Sequence, residues 1–144
     1  MGQLTMTKAE REAFLADVHV AVLAVNGDGV PSLTPIWYSY EPGGDVLIHT
    51  AASSPKTALL RAAGRASLCV QTETAPYKYV VVEGPVTIIE GADSPWRRAT
   101  AHAYLGAEFG DMYMDATMDS EADSVMVHLT PERWRTTDYA KQFG

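Results

Sequence analysis

The sequence predicts an α+β fold of mainly antiparallel β-strands, with about six or seven strands in a barrel and short helices at its ends or between strands. Turn sequences at 26–29 (Asn-Gly-Asp-Gly) and 41–44 (Glu-Pro-Gly-Gly) separate three strand-like runs within the first fifty residues. Strands do not alternate regularly with helices, so a parallel Rossmann-like sheet is not expected. The length of 144 residues suits one core. We therefore expect a single domain over 1–144.

The individual elements follow from local patterns. Thr7 and Glu10 form a capping-box pattern at the start of a helix that ends near Asp17. Pro31 and Pro35 suit an edge, a bulge or a bend of the second strand. The predicted strands are 19–25, 30–40, 45–50, 65–73, 77–90 with a bend at 84–85, 125–129 and 133–139; helices are predicted over 55–63 and from 94 to about 105, and 106–123 is helix or loop.

Composition excludes several classes of function. Hydrophobic residues make up 47% of the chain and charged residues 20%, as in ordinary globular proteins. The net charge of −7 disfavours nucleic acid or an anionic membrane surface as a partner. The lone Cys69 allows no disulfide framework within the chain. No secretory signal and no bilayer-spanning apolar stretch is visible, and we expect a cytoplasmic protein.

The segment 53–57 (Ser-Ser-Pro-Lys-Thr) is the most informative candidate site. Ser54 is a good N-cap and Pro55 a good first helical residue, so a helix begins here. A helix N-terminus offers amide donors and a positive dipole end, and the Lys56 ammonium with the Ser53 and Thr57 hydroxyls adds donors beside it. The segment suits a phosphate, or it is an ordinary capped helix start.

An aromatic run lies at 37–40 (Trp-Tyr-Ser-Tyr). Alternation along a strand places Trp37 and Ser39 on one face and Tyr38 and Tyr40 on the other. Such a wall could pack against a cofactor ring, or it could belong to the core or to a dimer contact.

Two short runs combine basic and aromatic residues, and each can be interpreted as a binding site or as ordinary sheet structure. Lys78 lies between two tyrosines at the start of a long strand, where it could meet an anionic group or protect a strand edge. Arg133 and Arg135 share a face opposite Trp134 near the C-terminus, in a strand that could contact a cofactor or simply close the barrel.

Other titratable residues show no catalytic pattern. The histidines lack metal-ligand spacing and are interpreted as structural; they are His19, His49, His102 and His128. The acidic residues of 111–123 lack the glycine and the terminal glutamate of a calcium loop, and are interpreted as a solvated acidic face. No nucleophile elbow and no Walker-type loop is present. We expect no metal site and assign no catalytic residue.

The order and spacing of these pieces resemble the pyridoxamine 5′-phosphate oxidase-like superfamily of flavin and deazaflavin oxidoreductases. More narrowly, the chain is similar to the actinobacterial branch that binds the deazaflavin coenzyme F-420. The resemblance covers nearly the whole chain. The motifs that carry it are 19–25, 27–29, Thr-Pro-Ile-Trp-Tyr at 34–38, Ser-Pro-Lys-Thr at 54–57, 65–68, Pro-Tyr-Lys-Tyr-Val at 76–80 and Val-Glu-Gly at 82–84.

The resemblance implies a split β-barrel that forms a homodimer, with cofactor sites in clefts between the subunits. The phosphate would be held after the third long strand, and the Trp37 strand would line the ring. Lys78, Trp134 and Arg135 could reach in from the partner chain. The implied cofactor-binding residues are Trp37, Thr50, Ser53, Lys56, Thr57, Lys78, Trp134 and Arg135.

The cofactor and the activity follow from the same resemblance. Relatives that bind flavin mononucleotide (FMN) carry extra arginines around the phosphate, whereas only Lys56 is obvious here. Coenzyme F-420 has a single phosphodiester and a carboxylate-rich tail. Arg61, Arg65 and Lys78 could supply positive charge along a groove that holds this tail. The expected function is F-420-dependent hydride transfer to a small organic acceptor. The alternatives are a carrier of a flavin, a deazaflavin or a haem-like ligand without turnover, and an FMN-dependent oxidase of the vitamin B6 type.

Overall fold

A computed structural model describes residues 2–144 and contains one curled antiparallel sheet with three helices. The helices are α1 (Lys8–Ala16), α2 (Pro55–Ala63) and α3 (Ser94–Thr117). Short 3₁₀ helices follow at Met118–Ser120 and Tyr139–Phe143. The strands are β1 (Ala21–Val25), β2 (Ser32–Ile36), β3 (Ser39–Tyr40), β4 (Val46–Ala51), β5 (Arg65–Gln71), β6 (Lys78–Glu90), β7 (Ser124–Leu129) and β8 (Arg133–Asp138).

The strand order is β2-β1-β5-β6-β7-β4-β3, and β8 pairs with β6. The long strand β6 changes partners along its length: it pairs with β5 up to Pro85, with β8 up to Glu83 and with β7 from Val86 onward. The predicted bend at 84–85 coincides with this change. Gly84 is required there, because a Cβ at this position would lie 1.8 Å from the carbonyl oxygen of Thr130.

The core lies inside the curl of the sheet. Alternate residues of each strand are buried, among them Leu23, Ile48, Leu68 and Val82, as expected for strands with one face inward. The helices cover the ends of this core with Leu15 from α1 and Leu60 from α2, and both are fully buried. The predicted α+β class with an antiparallel barrel-like sheet is confirmed.

The predicted continuous strand over 30–40 is wrong. The chain leaves the sheet at Trp37 and Tyr38, so that β2 pairs with β1 while β3 pairs with β4 at the other end of the strand order. Two short strands therefore replace one long strand. This break opens a gap in the wall of the barrel beside Trp37.

The segment 106–123, predicted as helix or loop, is mainly helical. Helix α3 runs on to Thr117 but is broken at Gly106, whose φ of +84° lies in the region that favours glycine. The Asp111 carboxylate joins the two halves, 2.7 Å from both Arg98 Nη1 and His102 Nε2. None of the helices in residues 2–144 has the length and apolar character needed to cross a bilayer.

Candidate functional site

A cleft of about 360 Å³ opens beside the break between β2 and β3. Its residues come from the segment before β1, from the end of β2 and the following Trp37, from β4 and from α3. The cleft is lined by Val20, Pro35, Ile36, Trp37, His49, Trp96, Arg97 and Tyr113.

Aromatic rings form the wall of this cleft. Trp37 stacks on Tyr104, with ring centroids 4.9 Å and ring planes 11° apart, and Tyr113 tilts toward Trp37 at 5.1 Å. The Tyr104 hydroxyl donates to the carbonyl of His19 at 2.5 Å and accepts from the amide of Tyr38 at 3.1 Å. These bonds fix the stack, so the cleft presents a preformed flat aromatic surface.

Two basic side chains act on His49: Arg97 lines the cleft, whereas Lys56 lies outside its lining. Arg97 is buried, with its guanidinium held by an ion pair with Glu121 and by a 2.7 Å hydrogen bond to the Thr117 hydroxyl. Lys56 is half-buried, and burial lowers the pKa of its ammonium. It forms none of the ion pairs found among residues 2–144.

His49 lines the cleft and is near both cations. Burial and the nearby charges of Arg97 and Lys56 lower the pKa of its imidazole below 6.5, although Glu121 partly opposes this. Its Nε2 lies 2.8 Å from the Ser124 hydroxyl. His49 is therefore neutral near pH 7 and can act as a hydrogen-bonding group rather than as a cation.

The junction between β4 and α2 differs from the open anion site that the sequence suggested. The Ser53 amide and hydroxyl both donate to the Asp123 carboxylate, at 3.0 and 2.5 Å. The Lys56 amide donates to its N-cap, Ser54, and the Thr57 hydroxyl donates to the carbonyl of Ala51. The expectation of free donors here is wrong, because the chain satisfies them itself; the Lys56 ammonium remains.

Two of the predicted phosphate ligands lie deeper than expected. Thr50 is 7% exposed and shares the core-facing side of β4 with Ile48. Thr57 is fully buried. Both therefore pack behind the junction, while Lys56 and Ser53 lie at its surface.

The three residues predicted to reach in from a partner lie on β6 and β8, away from the cleft within one chain. Arg135 is exposed on the outward face, where its strand register aligns it with Val81, Cys69 and Val22. Trp134 lies on the inward face, packed against the core. Arg11 covers its ring at 4.6 Å.

Lys78 begins β6 opposite Asp138 and lines a separate shallow cavity of about 350 Å³ with Tyr77 and Tyr79. Lys78 is the first residue of β6, in the half of the strand that precedes the Gly84 bend. Its predicted role depends on a second subunit.

Sequence reasoning missed His49, Arg97, Glu121 and Asp123. The interpretation of 111–123 as a solvated acidic face is wrong for Glu121, which pairs with buried Arg97. Asp123 is exposed, as interpreted, but also accepts from Ser53. Strand alternation gave a usable signal for His49, since it lies opposite the core-facing Ile48 and Thr50. Arg97 gave none, because its partner Glu121 follows 24 residues later.

The sequence profile of the pyridoxamine 5′-phosphate oxidase family matches residues 7–138. The chain belongs to the pyridoxamine 5′-phosphate oxidase family. The family resemblance stated from the motifs is thus confirmed. No curated protein matches the sequence significantly.

Solved structures share this family fold. A conserved hypothetical protein of Mycobacterium tuberculosis is 24% identical, with a TM-score of 0.78 over 100% of this chain and 92% of that one. An FAD-binding protein of Mesorhizobium loti is 21% identical, with a TM-score of 0.68 over 92% and 94% of the two chains. A protein described as an F-420 reductase is 19% identical, with a TM-score of 0.62 over 86% and 94%.

Proposed function

We propose that this pyridoxamine 5′-phosphate oxidase family member is an oxidoreductase that uses coenzyme F-420 to transfer a hydride to a small organic acceptor. The observation that carries the proposal is the combination of a fixed aromatic wall at Trp37 with an ammonium at Lys56 that has no carboxylate partner among residues 2–144. A flat conjugated ring with an anionic arm matches both features. The F-420 reductase and the FAD-binding protein of the same fold add support.

The residues of the cleft fit such a cofactor. The ring would lie along Trp37 and Tyr113, and the phosphate would lie toward Lys56. Neutral His49 offers one hydrogen bond to a ring heteroatom or carbonyl, because its other nitrogen lies against Ser124. Buried Arg97 also lines the cleft, but its charge is balanced by Glu121, so Lys56 is the cation proposed to meet the phosphate.

The charge balance at Lys56 favours F-420 over FMN. The Asp123 carboxylate already occupies the donors of Ser53, so negative charge is present where a phosphate would approach. A phosphate monoester carries nearly two negative charges at pH 7, whereas a phosphodiester carries one. Repulsion by Asp123 acts more strongly on the FMN monoester, and the single ammonium of Lys56 balances the one charge of a phosphodiester but not the two of a monoester.

A homodimer would complete the site. The cleft of about 360 Å³ covers only part of a flavin-sized ligand. The neighbouring outward face of the sheet exposes Val20, Val22 and Leu33, with 60%, 37% and 66% of their surfaces accessible. A second subunit packed on this apolar face would lie beside the cleft, and Arg135 of each chain belongs to the same outward face.

The chain's own contribution to the reaction is binding and orientation. The reduced coenzyme supplies the hydride when bound. The fixed wall holds the ring and limits solvent on one side. Tyr38 cannot donate a proton, because its hydroxyl is buried and donates to the carbonyl of Leu15 at 2.7 Å. Solvent is therefore the proposed proton source.

Equilibrium titration tests the proposal. Purified protein is titrated with F-420 and with FMN while cofactor fluorescence is followed, and the titrations are repeated with Lys56→Ala. Lys8→Ala, an exposed lysine of α1, is the matched control. We expect tighter binding of F-420 than of FMN and a loss of about tenfold in Lys56→Ala alone. Equal binding by Lys56→Ala and wild type would contradict the phosphate assignment.

A carrier without turnover is the second candidate, because no residue of the cleft is assigned as a proton donor. Reduced F-420 is mixed with the protein and a panel of quinone, nitro and enone acceptors. Oxidation of the coenzyme supports the enzyme, whereas tight binding without oxidation supports the carrier.

A further inference from the structure

A second and larger cavity, of about 610 Å³, lies between the end of α1, the β3–β4 hairpin and the first half of α3. Trp96 lines both this groove and the Trp37 cleft. The volume lies within the range of small-molecule sites. Nothing in the proposed redox function uses this groove.

Aromatic rings with tethered polar ends form its wall. The Trp96 indole N–H donates to the Ser39 hydroxyl at 2.7 Å, and the Tyr104 hydroxyl is held by the His19 carbonyl. The Tyr40 hydroxyl donates to Glu12 at 3.2 Å. These rings therefore offer their faces and edges to a ligand while their polar atoms are occupied by the protein.

The charged groups of the groove are acidic. Asp17, Glu41 and Asp45 line it, and no lysine or arginine belongs to its lining within residues 2–144. The Asp17 and Glu41 carboxylates form none of the hydrogen bonds or ion pairs found in that range, and Asp45 lies 3.8 Å from His128. Aromatic faces combined with carboxylates are the chemistry that recognises organic cations.

Thr100 gives independent evidence for a polar ligand. It lies on α3 in the wall of the groove and is only 6% exposed. Its hydroxyl forms none of the side-chain hydrogen bonds found among residues 2–144. Thr100 Oγ1 is not one of the fully enclosed unpaired polar atoms of residues 2–144, so it is open to the groove, where a ligand N–H could donate to it.

We propose that this groove binds a primary or secondary organic ammonium ion with an aromatic or aliphatic body. The body packs against Trp96 and Tyr104. The ammonium lies near the groove carboxylates, and its N–H groups can also donate to the Thr100 hydroxyl. The site is separate from the Trp37 cleft, so its occupancy does not require a bound flavin or deazaflavin.

Three probes that differ mainly in charge test this proposal: phenethylamine, phenylethanol and phenylacetate. Binding to the cofactor-free protein is followed by NMR through the Trp96 indole N–H resonance, assigned with Trp96→Phe. We expect phenethylamine to shift this resonance at millimolar concentration, phenylethanol to bind several-fold more weakly and phenylacetate not to bind. No shift with phenethylamine, or equal binding of phenylacetate, would overturn the proposal.

Substitutions in the groove test whether phenethylamine binds there. Asp45→Asn and Thr100→Val should each weaken phenethylamine binding about two- to fivefold. Ala103→Leu, which fills the groove from an exposed position of α3, should weaken it roughly tenfold. Asp115→Asn and Ala116→Leu, exposed on α3 outside the groove, are the matched controls. Equal losses in the control variants would overturn the assignment to this groove.

Discussion

Trp37 stacks on Tyr104 with the ring planes only 11° apart, and this pair fastens α3 to the break in the barrel wall. The stack joins the two halves of the candidate site. Trp37 faces the cleft that we assign to the cofactor ring, whereas Tyr104 faces the groove that we assign to an organic cation. The stability of this contact therefore determines the shape of both cavities.

Removing the Tyr104 hydroxyl should destabilise the protein. Tyr104→Phe keeps the stack but leaves the His19 carbonyl and the Tyr38 amide without this partner. We expect the free energy of unfolding to fall by about 1–3 kcal/mol in urea denaturation. Tyr113→Phe is the control, since the Tyr113 hydroxyl forms none of the hydrogen bonds found among residues 2–144. Equal stability of Tyr104→Phe and wild type would show that these bonds contribute little.

The bend of β6 should tolerate no side chain. In Gly84→Ala the new Cβ would collide with the Thr130 backbone, so β6 or the β7–β8 connection must move. We expect a loss of about 3 kcal/mol in unfolding free energy. Gly29→Ala, where a Cβ meets nothing within 4 Å, should change stability by less than about 0.5 kcal/mol. A normal denaturation midpoint for Gly84→Ala would contradict the described packing.

The lowered pKa of His49 predicts a loss of stability in acid. The folded protein binds a proton on His49 less readily than the unfolded chain does, so stability from this group is present above pH 6.5 and falls below it. Because the ring is half-buried, solvent screening keeps the slope below the one-proton limit of about 1.4 kcal/mol per pH unit. Denaturant midpoints measured between pH 7.5 and 5 should show a smaller slope in His49→Gln. An unchanged slope would rule out this assignment.

Asp123 should discriminate between phosphates of different charge. Asp123→Asn keeps an acceptor for the Ser53 amide but removes the negative charge, so FMN should gain about two- to fivefold in affinity relative to F-420. Fluorescence titrations of both cofactors give this ratio directly. Asp115→Asn serves as the control on exposed α3. A ratio that is the same in all three proteins would remove the electrostatic argument for F-420.

Much of the fold could be predicted because its signals are local. The capping box of Thr7 and Glu10, the Ser54–Pro55 helix start and the end of that helix at residue 63 all occur as expected. Each is fixed by hydrogen bonds or backbone preferences within a few residues. The break at Trp37 gave no such signal, since it depends on pairing of β3 with β4 and on the Tyr104 hydroxyl 66 residues away.

The candidate site was predictable only in part for the same reason. Trp37 and Lys56 could be picked out from type and position. The carboxylate of Asp123, which binds Ser53 from 70 residues away, could not be, because the turn that carries it is placed by β7 pairing with β4. Long-range partners therefore decide which donors of the β4–α2 junction remain available.

The most direct test of the central claim is to locate the bound cofactor in solution. A backbone-assigned ¹⁵N–¹H spectrum of the protein is recorded with and without saturating F-420. We predict that the largest shifts fall at Lys56, His49 and the Trp37 indole, with smaller changes along 41–45 beside the other groove. Shifts confined to 71–79 or to that groove, with Lys56 and Trp37 unchanged, would contradict it.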